Sequence, residues 1–439
     1  MRNFILILLL PFSLFAQTAI YRSVQPGVTA AIGTGTGTLT ISGSTATFSV
    51  SQPDSVGVGD AIQYDSDGNG SIDAIAFIHG RTSGTEYTVK NAAGAEPTAV
   101  TGDEDWDIYR AYTSIASVEG GTENAGIDAA VRAFDGSARN LDSNAEIFNL
   151  AVYAGTEGNG TNIDWDSWDT SATEYINIFA PFLESHVGIS QMHKYNLKYS
   201  LKFDLASATD LTGHVRIDGI VTRFEPPGSV ILFESSAPGG DFRISNCKFF
   251  GSDHVSANAA INYAGLTGAG NGTNSVYIWN NFISGFRETD GGGAGRGIVS
   301  TGNLGNAANT YTYNNTIVDC DVALIDFFNA NLHRVKNNIA QCDIGLVPSN
   351  NNHPDSNYNL SSDTAAPGAN SILSTTLTFA ADGYHLTSSD AAIAIGTNLS
   401  ADAGLAFSTD IDSDTRVAWN MGADEFQSSQ NYYRRRLFE

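Results

Sequence analysis

The sequence predicts an all-β protein whose central part is a solenoid of stacked strands. Five short segments share one pattern, in which alternating residues lead to a Gly or an Asn. Aligned on that residue, they recur at spacings of 27, 34, 34 and 23 residues: Gly219, Asn246, Asn280, Asn314 and Asn337. A unit this small cannot bury its own apolar face, so repetition at this scale indicates stacking. Alternation with period two before a turn residue indicates a strand and not a helix.

The first 16 residues are expected to be a secretory signal peptide. Met1-Arg2-Asn3 precede an apolar stretch from Phe4 to Phe15, which ends at Ala16. A positive charge, about twelve mostly apolar residues and a small residue at the end are typical of such a signal. The stretch is too short for a membrane anchor, which needs roughly 20 apolar residues. No second apolar run could cross a bilayer, so we expect a protein that is secreted or held at the cell surface.

The composition excludes nucleic acid as the expected partner. The 439 residues include 22 Lys and Arg against 47 Asp and Glu, for a net charge of -25. Such a chain repels phosphate, because phosphate binding needs clustered cations. Three cysteines, Cys247, Cys320 and Cys342, are too few for a disulfide framework, so stability must come from packing. Cys320 and Cys342 lie about one coil apart and could be buried thiols or a bridge.

The order of patterns along the chain predicts several segments. Residues 17–112 have short alternating runs separated by turns, which favour a small β-sandwich or barrel-like module. Residues 113–146 contain the helix-compatible stretch 113–136, which would cap the open end of the solenoid. The solenoid is expected over 147–362. A closing segment without the repeat follows over 363–427, and 428–439 reads as a mobile tail.

Two features resemble the secreted bacterial proteins of the pectate-lyase-like superfamily. One is the Asn-Asn-x-Ile pattern that begins at Asn280 and at Asn314. The other is the terminal stretch from Thr409 to Arg416, followed by Met421 to Phe426. The resemblance covers roughly 145–427 and implies a right-handed parallel β-helix. It does not imply an activity, because neither the polygalacturonase motifs nor the Trp-Ile-Asp-His signature of pectate lyases occurs.

Period-two alternation places two columns of side chains on one face of the repeated strands. These columns are Arg216, Arg243, Tyr277, Tyr311 and Arg334, and Asp218, Ser245, Trp279, Tyr313 and Lys336. Between them runs the apolar column Ile217, Ile244, Ile278, Thr312 and Val335, which should face the core. The two outer columns should then face solvent. Aromatic rings stack on sugars and cations pair with carboxylate or sulfate, so they predict binding of an extended, acidic polysaccharide. The expected ligand-binding residues are Tyr277, Trp279, Tyr311, Tyr313, Arg243, Arg334 and Lys336.

Other functions remain open for the same columns. The aromatic side chains could simply form a structural ladder between strands. β-Elimination on a uronic acid needs a base and a cation, for which the candidates are Lys336, Arg334, Arg243 and Lys248. The alternatives to glycan binding are therefore a polysaccharide lyase or glycosidase, and a structural or adhesive protein with the solenoid as a rigid spacer.

An acidic loop in the amino-terminal module matches part of a calcium-binding pattern. Asp65, Asp67, Asn69 and Asp73 occupy positions 1, 3, 5 and 9 of an EF-hand-type loop, with Gly70 at position 6. The twelfth position is Ala76 instead of Glu, and no helices flank the loop. The sequence is compatible with a bound Ca²⁺ and with a simple turn between two strands.

Overall fold

A computed structural model describes most of the chain. The described residues are 17–157, 163–165, 167–182, 185–198, 200–205, 213–223, 228–235, 240–254, 258–264, 274–289, 295–301, 308–326, 333–347 and 353–426. The predicted signal peptide, residues 1–16, and the predicted tail, residues 428–439, lie outside the described residues.

The amino-terminal module is a single antiparallel sheet of seven strands. It follows β1 (Thr18–Val24) in the chain. Its strands are β2 (Leu39–Ser42), β3 (Thr45–Phe48), β4 (Ala61–Tyr64), β5 (Ala74–Arg81), β6 (Glu86–Lys90), β7 (Val100–Asp103) and β8 (Trp106–Tyr109). The order β7-β2-β3-β6-β5-β4-β8 puts β7 and β8 at the two edges. The described strands therefore form one sheet and not the two sheets of a sandwich.

The connecting segment contributes two short helices and one strand. They are α1 (Ile115–Glu119), β9 (Arg139–Asn140) and α2 (Leu141–Asn144). Ser114 caps α1 by accepting a hydrogen bond from the Ser117 amide, and the helix ends at Gly120. Ile115 and Val118 belong to the same buried cluster as the strands that follow. A helix is therefore present in the connecting segment, but it covers five residues of the expected 113–136.

The chain then passes repeatedly through three sheets, one after another. In chain order the strands are β10 (Glu146–Val152), β11 (Gly155–Glu157), β12 (Ile163–Asp164), β13 (Trp168–Asp169), β14 (Ile176–Phe179), β15 (Tyr195–Leu197), β16 (Leu201–Leu205), β17 (His214–Asp218), β18 (Val221–Arg223), β19 (Gly228–Ser235), β20 (Asp241–Ser245), β21 (Lys248–Phe250), β22 (Asp253–His254), β23 (Asn258–Ala264), β24 (Asn274–Trp279), β25 (Phe282–Ser284), β26 (Arg287–Glu288), β27 (Gly295–Thr301), β28 (Ala308–Tyr313), β29 (Thr316–Val318), β30 (Val322–Asp326), β31 (His333–Lys336), β32 (Ile339–Gln341), β33 (Ile344–Val347) and β34 (Leu360–Ser361). We call one passage through the three sheets a coil.

Each coil adds one strand to each sheet, and all pairings within the three sheets are parallel. The first sheet has the order β1-β10-β14-β17-β20-β24-β28-β31. The second is β11-β15-β18-β21-β25-β29-β32-β34, and the third is β12-β16-β19-β23-β27-β30-β33. Two small sheets, β9 with β13 and β22 with β26, lie at corners of the coils. The protein is thus nearly all β, with stacked parallel strands as the repeats predict.

Strand β1 belongs to the coils and not to the amino-terminal module. It pairs in parallel with β10, from Thr18 opposite Glu146 to Val24 opposite Val152. The Ser23 amide donates to the Gly59 carbonyl, and the Tyr112 amide donates to the Ser23 carbonyl, so the module covers the outer edge of β1. The seven-stranded sheet is therefore an insertion between the first two strands of the first sheet.

A Gly or an Asn turns the chain at the end of the last five strands of the first sheet, β17, β20, β24, β28 and β31. Asn246, Asn280, Asn314 and Asn337 have φ of 53°, 54°, 50° and 58°, and Gly219 has 73°. This left-handed region is the one that Gly and Asn adopt most readily. The repeated Gly/Asn column is therefore structural, as its position predicts. Its amides also meet between coils, with Asn280 Nδ2 3.3 Å from Asn246 Oδ1 and Asn337 Nδ2 3.1 Å from Asn314 Oδ1.

A second asparagine ladder runs inside the coils. Its members are fully buried, and each follows a residue with positive φ, namely Asn280, Asn314, Asn337 or Tyr358: Asn281, Asn315, Asn338 and Asn359. Each Nδ2 donates to the Oδ1 of the next member at 3.0 Å. The repeat spacing is thus fixed by buried amide hydrogen bonds as well as by apolar packing.

The cysteines are free and buried, and Cys320 and Cys342 are not bridged. Within the described part of the chain, the helices are four and five residues long, and neither could cross a membrane.

Candidate functional site

The outer face of the first sheet has the two columns that the sequence predicts. Strands β17, β20, β24, β28 and β31 pair in the expected register, for example Arg243 opposite Tyr277 and Trp279 opposite Tyr313. The intervening column is buried, with relative exposures between 0% and 1%: Ile217, Ile244, Ile278, Thr312 and Val335. The prediction of which residues face the coil interior is therefore confirmed.

The expectation that both columns face solvent is wrong at Tyr311 and Tyr313. Their relative exposures are 9% and 0%. They are buried because the closing segment lies over them, with Leu399, Leu405 and Trp419 in the same cluster. Contact is so close that a Cβ on Gly404 would lie 2.1 Å from the Tyr311 ring. Half of the predicted aromatic face is therefore an internal interface.

The two predicted cations on β31, Arg334 and Lys336, lie close to acidic side chains. Lys336 Nζ lies 2.7 Å from Asp402 Oδ2, an aspartate of the closing segment. Arg334 lies 3.9 Å from Asp355 and 3.0 Å from the His353 ring. The structure therefore places Arg334 and Lys336 beside the covered tyrosines, and Lys336 joins the closing segment to the first sheet through Asp402.

The remaining predicted residues lie at or near a groove on the uncovered part of this face. The groove has a volume of about 620 Å³ and is bounded by β1 on one side and by the closing segment on the other. Its lining is Tyr21, Asn149, Asn177, Phe179, His186, Arg216, Ile217, Asp218, Arg243, Ser245, Asn246, Trp279, Phe407, Ser408 and Thr409. Arg243 and Trp279 are thus brought together, whereas Tyr277 stacks on Tyr311 at 4.9 Å outside the lining.

Arg216 is a cation of the groove that lies against an aromatic ring. Its guanidinium lies 3.5 Å from the centre of the Tyr175 ring, and no salt bridge joins it to a described carboxylate. Arg243 differs, because its Nε and Nη2 donate to Asp241 at 2.7 and 2.8 Å. A guanidinium in this position can pair with an anion that enters the groove.

Amides and a carboxyl group complete the polar lining. Asn177 Nδ2 donates to Asn149 Oδ1 at 3.0 Å, and both residues lie in register with Arg216 on neighbouring strands. Asp218 accepts from Ser245 Oγ at 2.6 Å and from Asn246 Nδ2 at 2.7 Å. Burial nevertheless raises the pKa of Asp218 above its usual value. The groove therefore combines the cations Arg216 and Arg243 with amide, hydroxyl and carboxyl groups.

A second polar cluster joins the closing segment to the coils. Lys248, at the start of β21, lies 3.7 Å from Asp412 and 3.9 Å from the centre of the Tyr384 ring. His385 lies between Asp382 and Asp412, with its two ring nitrogens 2.7 and 2.8 Å from their carboxylates. Of these residues, sequence reasoning named Lys248 as a catalytic candidate and Asp412 as part of the stretch from Thr409 to Arg416. The others follow no regular spacing, and their segment has no strand pattern.

The electrostatics of this cluster are dominated by burial and by its aspartates. Burial lowers the pKa of His193 to about 4, with the positive charge of Lys248 contributing. Burial would also lower the pKa of His385, but the hydrogen bond to Asp412 and the charge of Asp424 raise it to about 9. Burial lowers the pKa of Lys248 as well. The cluster therefore concentrates opposite charges in a partly dehydrated place.

The acidic loop of the amino-terminal module is closed by its own backbone. Asp65 accepts hydrogen bonds from the amides of Gly68 and Gly70 at 2.8 and 2.6 Å. Asp73 accepts from the Ser66 amide at 2.8 Å. Ligand oxygens of Asp65, Asp67 and Asp73 lie within 4.8 Å of one another. These hydrogen bonds form a complete turn between β4 and β5.

Comparison with known proteins gives no match: no family model, no curated protein and no solved structure is significantly similar to the chain.

Proposed function

We propose that this is a secreted or cell-surface protein whose coils form a right-handed parallel β-helix and bind an acidic polysaccharide in the groove. The observation that carries the proposal is Arg216, a cation without a salt bridge to any described carboxylate, in a chain of net charge -25. Right-handed connections between parallel strands are the general rule. The resemblance in sequence supports the same fold.

The groove suits an extended chain that carries carboxylate or sulfate groups. Strands of neighbouring coils are about 4.8 Å apart, so each coil offers one residue of a column to a ligand that runs along the stack. Asn149, Asn177 and Arg216 lie opposite one another on successive strands of the first sheet. The amides can bind hydroxyl groups and the guanidinium can bind an anion. Trp279 and Phe407 add apolar rings at one end.

A substitution of Arg216 tests this proposal. Arg216→Met keeps the apolar stem but removes the charge, and hydrogen bonds to charged groups contribute about 1.5–3 kcal/mol. Affinity for polygalacturonate, measured by calorimetry, should fall by about tenfold or more. Added salt should weaken the binding of the unaltered protein, because the guanidinium is accessible to ions.

Two variants serve as matched controls. Arg287→Met removes an arginine outside the groove that bonds to Asp319 and Asp343. Tyr313→Phe alters a buried ring under the closing segment. Neither should change affinity, whereas Trp279→Ala should reduce it. Equal binding by Arg216→Met and the unaltered protein would refute the groove as the site.

A polysaccharide lyase is the second candidate, because the groove also contains an imidazole. Burial lowers the pKa of His186, which keeps the ring neutral and able to accept a proton. A neutral base beside a cation that binds the uronate carboxylate is what β-elimination requires. Ultraviolet absorbance of an unsaturated product would reveal the reaction, and His186→Ala should abolish it without abolishing binding.

A glycosidase fits less well. Glycosidases of most families use a pair of carboxyl groups. Among the described residues that line the groove, Asp218 is the one carboxyl group.

A further inference from the structure

We propose that His385, Asp412 and Asp424 form a binding site for a divalent transition-metal cation, separate from the polysaccharide groove. All three residues belong to the closing segment. One ligand atom from each lies within 4.8 Å of the others. His385 Nε2 is 2.8 Å from Asp412 Oδ2 and 3.9 Å from Asp424 Oδ1.

These separations are close to what a metal needs. Zn²⁺ binds imidazole nitrogen and carboxylate oxygen at about 2.0–2.2 Å, which places tetrahedral ligands roughly 3.4 Å apart. The two separations from His385 Nε2 lie on either side of that value. Shifts of a few tenths of an ångström in the ligand atoms would therefore suffice to accommodate the ion.

The orientation of His385 is an independent indication of a ligand. Its Nδ1 lies 2.7 Å from Asp382 Oδ2, so the Nδ1–H donates to a carboxylate outside the proposed ligand set. Nε2 is thereby directed at Asp412 and Asp424. Histidines that bind metals commonly donate their other ring N–H to a carboxylate in this way.

His193 places a second imidazole on the opposite side of Asp412. Its Nε2 is 2.7 Å from the Asn246 carbonyl oxygen, which can only accept, so Nε2 carries the proton in the neutral ring. The lone pair of Nδ1 then faces Asp412 Oδ1 at 3.9 Å. Asp412 therefore has one imidazole near each of its two carboxylate oxygens.

The donor set indicates which cations fit. One imidazole with two carboxylates suits Zn²⁺ or Mn²⁺ better than Ca²⁺, which prefers oxygen ligands throughout. Lys248, 3.7 Å from Asp412 Oδ1, opposes the metal by its charge. Replacing it should therefore strengthen binding. Tyr384, whose hydroxyl is 3.2 Å from Asp412 Oδ2, shields the site from solvent.

The test is a titration of the full-length protein, first stripped of metal by a chelator, with Zn²⁺ and separately with Mn²⁺. Calorimetry should show one equivalent bound with a raised melting temperature. Asp412→Asn and His385→Gln should each lose this binding. Asp382→Asn, which removes only the partner of Nδ1, should weaken it by about 10–100-fold. Lys248→Met should tighten it.

A matched control and a spectroscopic measurement keep the proposal falsifiable. Asp67→Ala, in the acidic loop of the amino-terminal module, should leave the titration unchanged. Co²⁺ bound to the unaltered protein should give a visible absorption band from a nitrogen and oxygen ligand set, which needs no variant to fold. If neither Zn²⁺ nor Mn²⁺ binds, or if binding survives in both Asp412→Asn and His385→Gln, the cluster is an ion-pair network only.

Discussion

Replacement of Asn315 by Leu should be one of the most destabilising single changes in the coils. Asn315 is fully buried in the interior ladder. Its Nδ2 lies within hydrogen-bonding distance of the Ile278 and Tyr313 carbonyls and of Asn338 Oδ1, at 2.9, 3.1 and 3.0 Å. Its Oδ1 accepts from the amide and the side chain of Asn281 at 3.1 and 3.0 Å. Leu has a similar size and satisfies none of these groups.

The magnitude follows from those five contacts. A buried hydrogen bond contributes about 1 kcal/mol net, and a stranded buried polar group costs about 1–3 kcal/mol. Because the contacts share two N–H donors and one oxygen, we expect a loss of about 4–6 kcal/mol in the free energy of unfolding. With an unfolding entropy of about 2.1 cal/mol/K per residue over roughly 400 residues, the melting temperature should fall by about 6 °C.

Urea denaturation followed by circular dichroism would measure the loss. Asn370→Ala is the control, because Asn370 is exposed and outside the ladder, and it should change stability by no more than about 0.5 kcal/mol. A cost below about 1.5 kcal/mol for Asn315→Leu would refute the reasoning. The ladder would then be a consequence of coil stacking and not one of its causes.

Three further predictions concern the amino-terminal module. Burial lowers the pKa of His79 to about 4, so its contribution to stability is present above the unfolded pKa of 6.5 and is lost as pH falls towards 4. His79→Phe should remove about 3 kcal/mol of that acid sensitivity, measured as unfolding free energy at pH 7 and pH 4. Arg110→Met should lower the free energy of unfolding, measured in urea, by about 3–5 kcal/mol. The change leaves Asp60 without its partner, since both Asp60 oxygens lie 2.6 and 2.7 Å from Arg110 Nη1. Adding Asp60→Asn should recover part of the loss. Asp67→Ala should change the free energy of unfolding by no more than about 0.5 kcal/mol with or without Ca²⁺. If Ca²⁺ raises the melting temperature of the unaltered protein but not of the variant, the loop binds the ion.

The strands and their register could be predicted because both depend on local alternation. Ile217 is buried and Arg216 lies on the outer face because adjacent residues of a strand point to opposite sides of the sheet. The cover over Tyr313 could not be predicted, since Asp402 and Leu405 are far away in sequence and have no repeat. An outward tyrosine has the same local pattern whether it meets solvent or another segment.

Two other features, the pairing of β1 and the cluster around His385, could not be predicted from the sequence either. Thr18–Val24 is next to the amino-terminal module in sequence, but its partner is β10, more than 120 residues further on, and no local pattern encodes a parallel pairing over that distance. His385 and Asp412 come from irregular backbone, where no period places side chains on one face. Lys248 was found because it lies on a repeated strand.

The position of β1 determines where this chain can be shortened. The obvious boundary for removing the amino-terminal module lies near residue 113, yet a protein beginning there would lack the first strand of the first sheet. Strand β10 would then present seven residues of unpaired backbone, Glu146–Val152, as an open edge. Such edges recruit strands from other molecules. Truncation at that boundary should therefore yield aggregates, whereas deletion of the inserted sheet with β1 retained should preserve solubility better.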